Sequence, residues 1–363
     1  MPDTQLLIEL DGKPMAAEDF DQLLDVQVEE SSEDADALTL VARVEAGADG
    51  EWTSLLDPLL TPRTPVVVEV SRGEVTYRFE GLSTEVSWEL DAQGSSRLTA
   101  KAVDRTLELD LEEKVVSWPG TSESGIAEAI FSSYGLSSEV EATPDGPDPD
   151  VHVLTQRGTD WAFVRSLATK WGYAAYLESE AGSVVGHFHA LDPLADPQGQ
   201  LALGFGGDAL RVQAQVDLVA GQRVQVARIP ALSDTPQSAD SAGDDESQGL
   251  TSLGGQATVL LAPPDVRGEV EPFAAAAGLA RRSAFAARLT VEIDTAGVGL
   301  LLRARRTVLV QGLGSSLSGL YLVERVRHVL GVDHHRQQLT LVRNALGLTG
   351  DEPFGEGIGG TFP

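Results

Sequence analysis

Apolar and polar residues alternate along most of the first hundred positions, which is the pattern of strands with one buried face. The alternation is clear from Gln5 to Glu9, and the Asp11-Gly12 dipeptide that follows is a strong turn signal. We therefore predict a β-rich module over residues 1–105, with strands at Gln5–Glu9, Asp25–Glu29, Ala37–Val44, Val66–Val70, Val75–Phe79, Leu82–Trp88 and Leu98–Val103.

The periodicity changes to helical spacing after residue 105. A helix is predicted over Gly125–Tyr134, with Ser122 or Thr121 as its N-cap. A second helix is predicted between Thr159, which can cap it, and Gly172, which can end it. Its apolar stripe consists of Phe163, Leu167 and Trp171. With strands at Tyr173–Leu177 and Val184–His189, residues 106–205 are interpreted as an α+β insertion.

The rest of the chain returns to strands. Residues 206–232 are expected to hold two strands, Ala209–Leu218 and Gln222–Ala227, that return to the first module. Residues 233–254 are expected to form a flexible acidic linker or loop, because Ser233–Gln248 has too little apolar content for a core. Residues 255–346 are predicted to form a second β module, followed by a flexible tail at 347–363; the module's elements are a helix at 272–287 and strands at Leu289–Ile293, Arg303–Val310, Leu320–Val329 and Gln337–Asn344.

One strand pattern occurs twice, near opposite ends of the chain. Each copy has a β-rich strand, a Gly-Leu step into a longer strand, a polar turn and a final strand opening on Leu-Thr. The copies are Val66–Val70, Phe79–Trp88 and Arg97–Asp104, and then Thr307–Val310, Leu317–His328 and Gln338–Asn344. We interpret them as two related β modules in one subunit, which would let a trimer present six. The alternative is that any two β-meanders look alike.

Composition narrows the function classes. The formal net charge of −30 over 363 residues opposes binding to phosphate backbones and to anionic membranes. The chain has no cysteine, which excludes disulfides, thiolate catalysis and cysteine-based metal sites. The first residues lack the features of a signal peptide, and no apolar run is long enough for a membrane anchor. We expect synthesis and assembly in the cytoplasm.

The histidines are the first candidates for chemistry. His187 and His189 lie two apart on one strand face, which can begin a metal site, and Asp192 is close in sequence. No third ligand follows at a familiar spacing, so no metal is predicted. Asp333-His334-His335 is interpreted as a polar turn, and His328 as a strand residue near a domain edge.

Other catalytic patterns are weak. Gly204–Gly207 and Gly312–Gly314 lack the lysine of a P-loop and the dinucleotide fingerprint, and both are interpreted as turns. The chain has 56 acidic residues, so no pair stands out as the carboxylates of a glycoside hydrolase, and it has no nucleophile elbow. We predict no catalytic, cofactor-binding or metal-binding residue, and no enzyme.

The most distinctive segment runs from Gln156 to Tyr173, a capped amphipathic helix leading into a strand. It resembles the signature of the phage late control D (tail hub) family, whose fold also forms the N-terminal hub part of VgrG proteins. The matching positions are Gln156, Thr159 with Asp160, Phe163, Leu167, Gly172 and Tyr173, although the gap from Gln to Thr is one residue short. Gly319–His328 and Leu339–Gly347 resemble the family's last two strands.

The resemblance implies a mainly β subunit with an α+β insertion and two similar β-barrel-like tube domains. Three subunits would form a pseudo-sixfold ring at the baseplate of a phage tail or a contractile injection system. The implied partners are copies of the same chain, an inner tube or tube-initiator protein above, a trimeric spike below, and other baseplate proteins. Such a hub adapts one symmetry to another through its interfaces.

The chain departs from the family in two respects. VgrG chains continue into a spike, whereas this sequence stops at Pro363, so the spike is expected to be a separate protein. No lysozyme-like insertion is evident. The alternatives to a structural hub are a cell-wall or carbohydrate-active hydrolase and a generic β-rich binding module.

Overall fold

The computed structural model describes residues 4–47, 49–91, 95–150, 153–180, 182–204, 206–218, 223–228, 237–240, 251–252, 258–261, 276, 278, 280–281, 284–331, 334–350 and 352. The chain is mainly β, which confirms the expected fold class. Thirteen of its strands join one sheet, and the remaining strands form smaller sheets of two or three.

The N-terminal part consists of strands and two short 3-10 helices, at Ala17–Gln22 and Asp57–Leu60. Its strands are β1 (Gln5–Leu10), β2 (Lys13–Pro14), β3 (Leu23–Ser31), β4 (Ala37–Arg43), β5 (Glu45–Ala46), β6 (Trp52–Thr53), β7 (Pro65–Arg72), β8 (Val75–Glu89) and β9 (Arg97–Asp104). We call β1, β3, β4 and β7–β9 the first module.

A mixed α and β segment follows, which we call the middle unit. Its elements are α1 (Thr106–Leu109), β10 (Lys114–Trp118), α2 (Glu123–Ser133), β11 (Ser137–Val140), β12 (Leu154–Gly158), α3 (Asp160–Trp171), β13 (Ala174–Glu180) and β14 (Ser183–His189).

The C-terminal part is again built of strands. Its elements are β15 (Gln200–Ala202), β16 (Ala209–Val216), β17 (Arg223–Arg228), β18 (Gln237–Asp240), β19 (Thr251–Ser252), β20 (Thr258–Leu261), β21 (Ala287–Asp294), α4 (Thr295–Val298), β22 (Thr307–Gln311), α5 (Gly314–Leu317), β23 (Gly319–Leu330), β24 (His335–Arg343) and β25 (Ala345–Leu346). We call β15, β16 and β21–β24 the second module.

The two modules repeat the same strand order. The first is ordered β1-β7-β8-β9-β4-β3 and the second β15-β22-β23-β24-β21-β16. They differ at the first strand, since β1 is antiparallel to β7 whereas β15 is parallel to β22. The modules join where β3 pairs with the second half of β23, so both belong to one sheet.

Two β-bulges recur at the same places in both modules. The β8–β9 ladder shifts between Ser83 and Glu85, and the β23–β24 ladder shifts between Val323 and Arg325. The ladder of β3 with β4 shifts between Leu23 and Asp25, and that of β16 with β21 shifts between Ala209 and Arg211. Bulges fix local twist and register, so their recurrence gives a residue-by-residue correspondence between the modules.

This correspondence corrects the alignment that the sequence suggested. Matching the bulges places Leu82 with Leu322 and Ala100 with Leu339. The sequence pattern matched Leu82 with Leu320 and Leu98 with Leu339, which is out by two residues. Side chains on a strand alternate with a period of two, so this slip preserved the inward and outward faces and remained invisible in the sequence.

Each part has its own apolar core, built from period-two strands or from one face of each helix. Its most buried members include Val28, Leu40 and Val68 in the first module, Phe131, Val164 and Phe188 in the middle unit, and Val291, Tyr321 and Leu341 in the second module.

Helix α3 begins and ends where its sequence predicts. The Thr159 hydroxyl accepts a hydrogen bond from the Ala162 N–H at 3.2 Å, and Gly172 ends the helix with a φ of 69°. The predicted stripe is partly wrong, because Phe163 is only partly buried. The buried face is instead Trp161, Val164, Leu167, Ala168 and Trp171, which follows the three- and four-residue spacing of a helix.

Two strand predictions need correction. The strands predicted on either side of Gly81 are one continuous strand, β8. A Cβ on Gly81 would lie 2.3 Å from the Val103 carbonyl oxygen, so this glycine permits close cross-strand approach instead of a turn. The strand predicted from Arg303 starts only at Thr307, because Arg303 and Arg305 form buried ion pairs described below.

The region after the middle unit also differs from expectation. Strand β16 pairs with β21 of the second module, and does not return to the first. Within the predicted acidic linker, Gln237–Asp240 form β18 against β17, since ladder hydrogen bonds need only backbone groups. The other residues of 233–250 lie outside the described residues.

Within the predicted helix 272–287, the described residues Ala276, Gly278, Ala280 and Arg281 are helical. It ends earlier than predicted, because residues 284–286 are not helical and Ala287 is the first residue of β21. Of the predicted tail, only 347–350 and 352 belong to the described residues. The domain boundaries as a whole stay predictions.

Candidate functional site

A group of buried charges lies where the three parts of the chain meet. Glu30 is on β3, Glu178 is on β13, and Arg303 precedes β22. Arg303 Nε donates to Glu30 Oε1 at 2.7 Å, and its Nη2 donates to Glu178 Oε1 at 2.6 Å. One guanidinium therefore links both modules to the middle unit. We call the whole group the seam cluster, which consists of Glu30, Asp36, Asp104, Glu178, Arg303, Arg305 and Arg306.

Arg305 makes a second three-way contact. Its Nη2 donates to the Ser31 carbonyl at 2.7 Å and to Asp36 Oδ1, and its guanidinium lies 4.2 Å from the ring centre of Tyr176. The Arg305 backbone has a φ of 66°, a conformation that is costly for a non-glycine residue. The buried ion pair and the cation–π contact hold it there.

Two aspartates of the first module share this buried environment. The Asp36 N–H donates to Asp104 Oδ2 at 2.9 Å, and the Asp104 N–H donates to the Asp36 carbonyl at 3.0 Å. Burial raises the pKa of Asp36 and also that of Asp104, while Arg305 opposes both shifts. Ionising both would put more carboxylates than guanidinium groups into the cluster, so burial favours a protonated carboxyl at one of the two.

Glu178 behaves in the opposite way. Burial alone would raise its pKa, but Arg303, Arg306 and Arg305 outweigh burial and lower the pKa to about 2. Arg306 Nη2 lies 2.9 Å from Glu178 Oε1 and is partly open to solvent. Glu178 is thus a fixed anion that joins the middle unit to the second module.

His187 and His189 do lie on one face of β14, with Tyr176 of β13 beside them. The Tyr176 ring stacks on His187 at 4.5 Å between centroids, and the Tyr176 hydroxyl lies 3.0 Å from His189 Nε2. Burial lowers the pKa of His187 to about 4, so the imidazole is neutral near pH 7. In the described part of the chain, no group of three or more His, Asp and Glu side chains could hold a metal ion.

His328 and His335 are more deeply placed than their sequence suggested. His328 lies fully buried on β23 where the modules join, stacked on Tyr77. His335 is the buried first residue of β24 and not a turn residue, and its Nε2 lies 3.1 Å from His328 Nδ1. Burial lowers the pKa of both imidazoles, so they act as neutral packing groups. His334 precedes β24, and Asp333 lies outside the described residues.

The two glycine-rich segments pack against each other. Gly312 has a φ of 88°, and a Cβ there would lie 2.6 Å from the Gly204 nitrogen. The Leu203 N–H donates to the Gln311 carbonyl at 2.9 Å. The glycines thus serve a close backbone contact between β15 and β22, not a phosphate site.

The hydrolase alternative requires an accessible carboxyl group of raised pKa opposite a second carboxylate. Asp36 and Asp104 have raised pKa values, but both are buried and bonded within the seam cluster. A cavity of about 690 Å³ between the modules has Asp21, Asp25 and Asp294 in its lining, and neither Asp36 nor Asp104 is among its lining residues. The two carboxyl groups with raised pKa values therefore contribute to the structure of the seam cluster.

Sequence reasoning missed the seam cluster. A signal was present, since Arg303, Arg305 and Arg306 stand between apolar runs in a chain with only 26 basic residues. Basic residues flanked by apolar ones are candidates for buried ion pairs, but the acidic partners lie far away in sequence.

A family model described as the Alg8 N-terminal domain matches residues 59–331, about three quarters of the chain. The chain belongs to the Alg8 N-terminal domain family. The match spans the middle unit and much of both modules. No curated protein matches the chain by sequence.

Solved structures share the fold over nearly the whole chain. The 43 kDa tail protein of prophage MuSo2 from Shewanella oneidensis has a TM-score of 0.66 at 14% identity, covering 95% of this chain and 100% of its own. A tail protein from Neisseria meningitidis has a TM-score of 0.64 at 14% identity, covering 94% and 97%. At such identities the likeness establishes the fold.

A third structure, from E. coli, is a component of the type VI secretion system described as similar to T4 bacteriophage tail proteins. Its TM-score is 0.51 at 12% identity, covering 94% of this chain and 76% of its own. The chain therefore has a fold found in phage tail and type VI secretion proteins. Membership of the late control D family stays a prediction. Among the described helices, none has the length and apolar character to cross a membrane.

Proposed function

We infer that the protein is a structural baseplate hub of a contractile phage tail or injection system. In this role three copies form a ring that joins a hexameric inner tube to a trimeric spike. The observation that carries the proposal is the internal repeat, in which two modules of one chain share strand order and bulge positions. Three such chains offer six similar modules, which suits a partner with sixfold symmetry and one with threefold symmetry.

The seam cluster supports this role by fixing the two modules relative to each other and to the middle unit. Its buried side chains are bonded to one another, and removing one partner of a buried pair is costly. A rigid subunit is what a symmetry adaptor needs, because the angle between modules sets the geometry of the ring.

The mass of the assembly tests the proposal. We expect light scattering after size-exclusion chromatography to give a trimer, either for the protein alone or together with its spike protein. A dimer under both conditions would contradict a threefold hub. Release of cell-wall fragments by the purified chain would favour the hydrolase alternative.

A further inference from the structure

The two strands that join the modules each have a counterpart in the other module, and these two counterparts are not paired with each other within the chain. Within the chain, β3 pairs with residues 325–330 of β23. The counterpart of β3 in the second module is β16, and the counterpart of that part of β23 is the end of β8. Among the described residues, neither β16 nor the end of β8 has a strand partner on the corresponding edge.

The bulges fix which residues correspond. Glu85 of β8 corresponds to Arg325 of β23, and counting residue by residue from there places Leu90 with Leu330. Asp25 of β3 corresponds to Arg211 of β16, and the same counting places Glu30 with Val216.

The side chains at the edge of β16 and at the end of β8 are more exposed than their counterparts at the contact within the chain. Trp88 is 50% exposed and Leu90 is 51% exposed, whereas their counterparts His328 and Leu330 are 0% and 5% exposed at the contact within the chain. Val28 of β3 is fully buried, whereas its counterpart Ala214 is exposed. The positions that a neighbouring strand covers in one place are thus uncovered in the other, and exposed apolar strand edges favour pairing with another chain.

We propose that β16 of one copy pairs antiparallel with the end of β8 of the next copy, in the register that β3 and β23 use within the chain. Carrying that register across gives the pairs Glu85–Asp217, Val86–Val216, Ser87–Gln215, Trp88–Ala214, Glu89–Gln213 and Leu90–Val212. The contact is head-to-tail, so it closes into a ring when the rotation permits.

The two faces of this ladder are chemically consistent. One face brings together only apolar residues, with the large Trp88 opposite the small Ala214. The other face is polar, and the acidic side chains of β8 on it already have cations, since Glu85 pairs with Lys101 and Glu89 with Arg97. The Glu85–Asp217 position is unfavourable by charge, but the Glu85–Lys101 pair reduces the repulsion.

This inference rests on the proposed hub and specifies its contact between copies. The chain has no cysteine, so engineered cysteines report a single pair. One chain carries Ser87→Cys and the other Gln215→Cys, which are both exposed polar positions that leave the apolar face intact. Directly opposite residues on antiparallel strands have Cα atoms about 4.5–5.5 Å apart, within the disulfide range.

We expect mild oxidation of the mixed chains to give a cross-linked pair of copies, and each chain oxidised alone to stay uncross-linked. The register control replaces Gln215→Cys with Gln213→Cys, which moves the thiol two positions along the same face, roughly 7 Å or more away. Equal cross-linking of the 87–215 and 87–213 combinations would overturn the register.

Mass and cross-linking separate this inference from the proposed function. A trimer without an 87–215 cross-link would overturn the strand pairing and leave the threefold hub in place. An 87–215 cross-link in chains that never form a trimer would support the pairing and overturn the threefold hub. A monomer without any cross-link at every concentration, both alone and with the spike protein, would overturn both.

Discussion

Arg303 Nε and Glu30 Oε1 lie 2.7 Å apart although 273 residues separate them in the chain. Both side chains are buried, and Arg303 also bonds to Glu178 of the middle unit. A guanidinium that binds two buried carboxylates is costly to remove, because both carboxylates then stay buried without it. This one residue therefore contacts all three parts of the chain.

Arg303→Met should lower the free energy of unfolding by about 3–5 kcal/mol, because Glu30 and Glu178 would remain buried without that cation. Chemical denaturation followed by fluorescence measures the change as a lower midpoint. Arg306→Met is the matched control, since Arg306 bonds to the same Glu178 but its side chain is 41% exposed. We expect it to cost at most about 1 kcal/mol. Equal losses for the two variants would contradict the central role of Arg303.

The stability should depend on pH through His187. Its folded-state pKa of about 4 lies below the usual value near 6.5, so the unfolded chain binds more protons between these values. The contribution of His187 is complete above about pH 6.5, and it is lost as the pH falls toward 4, by up to about 1.4 kcal/mol per pH unit. Asp36 acts in the opposite direction, because its raised pKa makes its contribution fall as the pH rises.

A variant isolates His187 from Asp36. His187→Phe can keep the stack on Tyr176 but cannot titrate. The difference in unfolding free energy between variant and parent should move in favour of the variant as the pH falls below about 6.5. A difference that stays constant down to about pH 4.5 would show that His187 is not buried as a neutral imidazole.

Two glycines at helix ends allow a comparison of strain with contact. Gly135 and Gly172 both have a φ of 69°, but a Cβ on Gly135 would meet nothing within 4 Å, whereas one on Gly172 would lie 2.5 Å from the Gly278 backbone. Gly135→Ala should cost about 1 kcal/mol from strain alone, and Gly172→Ala should cost more. Thermal unfolding measures both. Equal decreases in Tm for the two variants would mean that the Gly278 backbone does not lie against the end of α3.

Local physics made much of the fold predictable. Alternation revealed most of the strands of both modules, and cap and stop residues bounded α3 between Thr159 and Gly172. The pairing of β3 with β23 was not predictable in this way, because it depends on the whole path of the chain. For the same reason the sequence did not reveal that Arg303 meets Glu30. The sequence pattern revealed the internal repeat but aligned its two copies two residues out of register. The bulges at Ser83 and Val323 give the correct alignment.

The repeat also supplies a test in which each module is the control for the other. Leu90 and Leu330 occupy corresponding positions, but Leu90 is half-exposed and Leu330 is buried under the contact with β3. Leu330→Ala should cost about 2–5 kcal/mol in the isolated chain, because it leaves a cavity. Leu90→Ala should change the stability of the isolated chain by less than about 0.5 kcal/mol, since it removes only exposed surface.

Association should respond in the reverse order. Leu90→Ala should weaken the assembly of copies, measured as a rise in the concentration at which sedimentation detects the oligomer, because Leu90 faces Val212 of the next copy in the proposed ladder. Leu330→Ala should leave that contact unchanged in chains that remain folded, because Leu330 already has its partner within the chain. If Leu90→Ala assembles like the parent, the end of β8 is not a contact between copies. The repeat would then explain the shape of one subunit without explaining how subunits meet.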